Sequence, residues 1–173
     1  MNTLQPGLCV LGTRLPGCFN VFEMSVRAVL GQQITVKAAS TLAARLVAVY
    51  GTQVQTGIEG LTHSFPAPAA ILALGENISE HLGKLGIISA RANTIYQLAR
   101  VLADEKNDFG FCGNPEEEMQ KLQAIRGIGS WTAQYIAMRA MGWPDAFLPT
   151  DAGIKKALPD HTPKELQVLS EAW

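Results

Sequence analysis

The sequence predicts an all-α protein. Apolar residues recur at helical spacing in one segment after another, helix-starting and helix-ending residues bracket those segments, and no segment shows the strict alternation of a half-buried strand. Residues 1–19 are rich in Gly and Pro and read as irregular. Asn20 is placed to cap a first helix, Val21 to Leu30, with Phe22, Val26, Val29 and Leu30 as its apolar face. Gly31-Gln32-Gln33 interrupts it. Thr35 caps a second helix that carries Ala38, Ala39, Leu42, Leu46, Val49 and Tyr50 to a stop at Gly51. Its many small residues predict close helix contact. Residues 51–67 read as loop. Short helices follow, Pro68 to Leu74 stopped by Gly75 and Ile78 to Leu85 ended by Gly86.

Ser89 opens a longer helix with Ile95, Leu98, Ala99 and Leu102 along its stripe. After a loop at Asn107 to Gly113, Asn114-Pro115-Glu116-Glu117 combines an N-cap, a proline in the first turn and an acid three residues on. That helix runs into Arg126-Gly127-Ile128-Gly129, and Ser130 starts a further run, Trp131 to Met141. Trp143-Pro144-Asp145 reads as an extended linker. Phe147-Leu148-Pro149-Thr150-Asp151 leads to a short helix around Ile154 to Leu158, and Thr162-Pro163-Lys164-Glu165 is a last capping signature.

Composition bounds the function. With 173 residues, 47% hydrophobic and 17% charged, the chain is globular and large enough for one buried core. Fourteen Lys and Arg against 15 Asp and Glu give a net charge of −1, which argues against a basic-tail mode of nucleic-acid binding. Cys9, Cys18 and Cys112 are scattered and odd in number, so neither a metal site nor a disulfide framework is expected, and a reducing cytosol is favoured. His63, His81 and His161 show no zinc spacing. No apolar run has the length of a membrane span, and no signal-peptide pattern opens the chain.

The stretch Leu122 to Ala133 reads as helix, tight glycine loop, helix. Gly127 and Gly129 let the backbone turn sharply, since glycine takes positive φ at little cost, and without Cβ atoms they let another backbone approach. The unpaired amides and positive dipole end of the following helix form a site for a phosphate. This is how a helix–hairpin–helix holds a nucleic-acid backbone without reading bases. Alone, the pattern is a weak signal, and a plain turn between packed helices is the better reading of it. Asp151 follows closely, after a proline-containing extended stretch and at a helix start. It fits an ordinary N-cap, the commonest use of aspartate there, and also a carboxylate set beside whatever the glycine loop holds.

These residues carry a resemblance. Ile125 to Ala133 and Phe147 to Asp151, with Arg14 to Phe19, Phe22-Glu23 and Arg27 to Gln32 upstream, are similar to the helix–hairpin–helix DNA glycosylase superfamily, and within it to the 3-methyladenine DNA glycosylase II type. The similarity runs from about Leu15 to Trp173. It implies helical subdomains flanking a DNA-binding cleft, with residues 20–173 as the glycosylase domain and the hairpin motif at about 115–141. It also implies a β-rich domain before this region and further helices after it, so the chain is expected to be an excerpt, truncated at its C-terminus, of a longer or fused alkylation-repair protein.

The resemblance implies site roles as well. Asp151 falls at the catalytic aspartate. Amides near Gly127, Gly129, Ser130 and Thr132 would grip a phosphate, and the carbonyls of Gln123, Ile125 and Ile128 would hold a monovalent cation, sodium or potassium; no other cofactor is expected. Gln33 falls in the segment that fills the gap left by a flipped base, where relatives place an apolar wedge. Trp131 stands where the endonuclease III branch carries a nucleophilic lysine, and the iron–sulfur cysteines of that branch are missing. Both departures imply a monofunctional enzyme without a lyase step.

An indole face at Trp131 would attract a cationic base by roughly 0.5–2 kcal/mol, although a core tryptophan is the other reading of that residue. The expected partner is double-stranded DNA with alkylated bases such as 3-methyladenine. A monomer in the bacterial cytosol or nucleoid, with no membrane contact, is expected. Two other classes stay open at this point, a non-catalytic hairpin module that only holds DNA and a helical protein-interaction domain.

Overall fold

A computed structural model of the chain describes residues 12, 15–104 and 114–171. Asn20 caps α1 (Val21–Leu30), its side chain accepting the Glu23 amide. Thr35 caps α2 (Val36–Tyr50) in the same way through the Ala38 amide. Then come α3 (Pro68–Leu72), α4 (Ile78–Gly83) and α5 (Ser89–Leu102). Asn114 caps α6 (Pro115–Gln123) through the Glu116 amide. Past the glycine loop lie α7 (Ser130–Ile136), α8 (Ala152–Ala157) and α9 (Pro163–Ser170). On α9 the expected capping signature is a full capping box between Thr162 and Glu165.

The core gathers around α1 and α5. α5 packs against α1, α3 and α4, and α1 packs against α2 and α7. Val26, Val29 and Leu30 of α1, Ile95 and Leu98 of α5, and Ile136 of α7 are fully buried. Each such side chain stabilises the fold by about 1.5–3 kcal/mol relative to exposure. The seam fixes the ends of α1, α5 and α7 relative to one another, and the site is built on those ends. Leu46 anchors α2 and Leu166 anchors α9, each with no exposed surface.

Several local expectations differ from the structure. The loop at 51–67 contains a two-residue antiparallel pair, β1 (Thr52–Gln53) on β2 (His63–Ser64). Two residues leave no alternation to read. Gly51 leads into it because a Cβ there would lie 2.4 Å from the Val47 carbonyl and 2.5 Å from that of Ser64. Gly75 does not stop α3 directly but opens a 3₁₀ turn, Gly75–Asn77, with φ of +55°. α4 ends at Gly83, two residues earlier than its apolar pattern suggests.

Ser89 is the first residue of α5, and Ile88 holds the cap position without a side-chain bond. The run after Ser130 is not one α-helix to Met141. It widens into a π turn, Ala137–Met141, closed by Gly142 in the left-handed region at φ +66° and by the Trp143 amide on the Ala137 carbonyl at 3.1 Å. The loop at Asn107 to Gly113, Arg14, Cys9, Cys112 and Trp173 lie outside the described residues. Among the described residues no helix is long and apolar enough to cross a membrane.

Candidate nucleic-acid interface and active site

The two glycines of the hairpin do different work. Gly127 has φ of +96°, and a Cβ on it would fall 2.0 Å from the Thr94 hydroxyl of α5. The turn and the contact with the protein's own core both require glycine there. Gly129 has φ of −90° and ψ of 176°, ordinary extended backbone, so the expectation of a left-handed turn does not hold for it. A Cβ on Gly129 would meet nothing within 4 Å. The open space beside it lies where an outside backbone can approach.

Gly129 is the N-cap of α7 and offers no side chain to the first amides, those of Ser130, Trp131 and Thr132. The helix start is thus left as a group of donors with a positive dipole end. Thr132 contributes only its amide, because its side chain is buried and its hydroxyl accepts from Gln32 at 2.9 Å.

Twenty residues on in sequence, Asp151 returns to this helix. The indole N–H of Trp131 donates to Asp151 Oδ2 at 3.1 Å, and the Gly153 amide donates to Oδ1 at 2.8 Å. Asp151 is the N-cap of α8, with an extended φ of −63° and ψ of 140°, and it sits beside the hairpin helix. Each carboxylate oxygen carries one protein donor and keeps further acceptor capacity.

Trp131 is half-buried and lies parallel to Tyr135, with ring centroids 5.2 Å apart and planes 7° from parallel. It is neither a core tryptophan nor only an exposed face. One face is covered by Tyr135, the ring edge holds the carboxylate, and the ring lines the cleft.

That cleft has a volume of about 1740 Å³. Gln33, Gly127, Gly129, Trp131, Thr132 and Asp151 all line it, so the fold brings those sequence-identified residues to one place. Ile125 lines it as well, whereas Ser130, Gln123 and Ile128 are not on its wall. For the cation, the donor set is three neutral carbonyl oxygens, which suits a hard, weakly charged ion. The Ile125 carbonyl already accepts the Ile128 amide at 3.0 Å and keeps its second lone pair. The positive φ of Gly127 reverses the chain between these two residues.

Three residues of the site are absent from the sequence reading or present only as part of a longer match. The Gln32 amide donates to the Gly127 carbonyl and the Thr132 hydroxyl, both at 2.9 Å, and so ties the end of α1 to the hairpin. Arg91 donates to the Gln32 carbonyl. The Thr94 hydroxyl lies 2.9 Å from the Arg126 carbonyl and 3.0 Å from that of Ala90, and its one proton serves both. A sequence signal exists for Arg91. α5 has no acid in its first turn and carries a cation there, against the dipole. A cation in that place is best explained by an anchor elsewhere.

A helical fold in which a glycine hairpin leads into a helix start of uncapped amides, beside a cleft lined by a fixed carboxylate, has the layout of a helix–hairpin–helix protein. Residues 26–165 match the HhH-GPD superfamily of base excision DNA repair proteins, and the chain belongs to that family. It is 36% identical to DNA-3-methyladenine glycosylase 2 of Escherichia coli over 173 residues, covering all of this chain and 58% of that protein. It is 40% identical over 146 residues to a probable bifunctional transcriptional activator/DNA repair enzyme AlkA of Mycobacterium tuberculosis, covering 84% of this chain and 28% of that protein.

Among solved structures it is similar to a 3-methyladenine DNA glycosylase from Archaeoglobus fulgidus, with a TM-score of 0.76 and 27% identity, covering 91% of this chain and 54% of that one. The chain thus spans 58% of the length of the first of these relatives and 28% of the second.

Proposed function

We propose that the chain is a monofunctional DNA glycosylase for alkylated bases such as 3-methyladenine, acting on double-stranded DNA as a monomer. The observation that carries this reading is the Asp151 carboxylate, fixed by the Trp131 N–H and the Gly153 amide in the cleft that the hairpin glycines line. The amides at the start of α7 grip a phosphate beside the lesion, and a sodium or potassium ion on the Gln123, Ile125 and Ile128 carbonyls would reinforce that grip. The target nucleotide leaves the duplex at a cost of a few kcal/mol, less at a weakened pair, and Gln33 fills the space it vacates.

The alkylated base already carries positive charge, so it departs without a general acid. As the C1′–N bond breaks, positive charge builds on the sugar, and Asp151 stabilises it. Water then adds to C1′ and loses its proton to solvent by way of the same carboxylate. The Trp131 ring, which lines the cleft, supports the cationic base before it leaves. With an indole where a Schiff-base lysine would be needed, the product is an abasic site with the strand intact.

The test is release of free base from methylated duplex DNA by the wild-type chain and by Asp151→Asn. Release by the wild type alone is expected. Equal release by both would remove Asp151 from the chemistry. Tight binding without release by either would leave the chain a DNA-holding module, as part of a larger protein or alone.

A further inference from the structure

Gln33 is the only non-glycine residue in the left-handed region among those described, with φ of +54°. Such a conformation persists in a residue with a Cβ only where its surroundings hold it. Resting on the functional reading above, we propose that Arg91 is a positioning residue for Gln33, holding that backbone turn so that the Gln33 side chain stands ready at the cleft rim.

The peptide plane between Gln32 and Gln33 sets φ of Gln33, and Arg91 bonds the carbonyl of that plane. The same peptide is restrained on its other side. The Gln32 side chain is fastened to the Gly127 carbonyl and the Thr132 hydroxyl, with both of its amide protons used. With the carbonyl and the preceding side chain both anchored, the plane cannot swing to the helical or extended orientation that would relax Gln33.

Arg91 does not act alone on α5. Thr94, three residues on and so on the same face, bonds the Arg126 carbonyl and occupies the space that a Cβ on Gly127 would need. One turn of α5 thus braces both the rim turn and the hairpin, and Gln32 closes the triangle between them. Gln33 itself is exposed and lines the cleft. The brace sets how far the residue that fills the duplex gap stands from the amides that hold the phosphate. Gln33 lacks the stiffness of an apolar wedge, so its placement has to come from the backbone.

Two measurements test this. The first uses a duplex with one tetrahydrofuran abasic analogue and the same duplex intact, and reads the ratio of the two affinities. A partly unfolded preparation leaves that ratio unchanged. Arg91→Ala and Gln33→Ala are each expected to lower the wild-type preference by about tenfold, with the double variant no lower than Gln33→Ala, while Arg91→Lys, which keeps one donor, recovers part of the loss. The second is made without DNA. The HN–Hα coupling and Cα shift of Gln33 should report positive φ in the wild type and lose it in Arg91→Ala.

Retention of positive φ in Arg91→Ala, or additive losses in the double variant, would overturn the role of Arg91. A wild type that binds both duplexes equally, while Gln33 shows positive φ that depends on Arg91, would instead overturn the functional reading.

Discussion

Asp151 draws its two hydrogen bonds from different directions, one from its own helix start and one from an indole twenty residues earlier. The first makes it a cap, and the second ties it to the hairpin. The two can be separated by substitution. Trp131→Phe keeps an aromatic ring against Tyr135 but removes the N–H donor. Base release should fall about 10- to 100-fold, mainly in kcat, since a lost hydrogen bond to a charged group costs about 1.5–3 kcal/mol. A change confined to KM would mean that the ring matters only as a surface.

The hairpin glycines give a second contrast. Gly127→Ala meets both a left-handed φ and the Thr94 hydroxyl at 2.0 Å, so thermal or denaturant unfolding should show a loss of about 2–4 kcal/mol. Gly129→Ala has neither problem and should leave stability within about 0.5 kcal/mol, yet weaken binding to duplex DNA. The reverse order would contradict the roles given to the two residues.

At the scale of elements, the helix starts were the most legible part of the chain. Asn20, Thr35, Asn114 and Thr162 all cap where their side-chain chemistry indicated, because a cap is a local bond between a residue and an amide two or three positions on. Helix ends were less legible. α4 stops two residues early, and the run after Ser130 widens into a π turn, since ends are settled by which carbonyls the rest of the molecule leaves unpaired. The β1–β2 pair was too short to leave any pattern.

The capping box of α9 gives a pH prediction. The Thr162 amide and hydroxyl hold the Glu165 carboxyl below its ordinary pKa. A carboxylate lowered on folding contributes stability above its unfolded pKa, near 4.3, and that contribution is lost as pH falls through the lower folded value. Glu165→Gln should therefore melt below the wild type at neutral pH, with the difference closing below about pH 4.

The molecule as a whole is close to neutral, with 14 basic and 15 acidic side chains. On the function proposed above, DNA contacts come from amides and a few local cations, and binding should depend weakly on salt. A plot of log affinity against log salt should have a slope of about −2 to −3, the signature of two or three neutralised phosphates. A slope near −6 would mean an electrostatic footprint that the charge distribution does not provide.

The site was partly legible at this scale. Asp151, Trp131 and the hairpin glycines, which line one cleft, could be picked out as candidates from sequence. The residues that position them could not. Gln32, Arg91 and Thr94 act on backbone carbonyls 95, 59 and 32 positions away, and a backbone acceptor has no sequence identity to read.

On the function proposed above, one fixed carboxylate supplies the chemistry and the hairpin supplies the hold. Single-turnover base release from methylated duplex, measured for Asp151→Asn at saturating protein beside its affinity for the same DNA, tests it directly. A rate at least about 100-fold below wild type is expected, with affinity changed by less than about threefold. A wild-type rate in that variant, or a loss explained entirely by weaker binding, would contradict it.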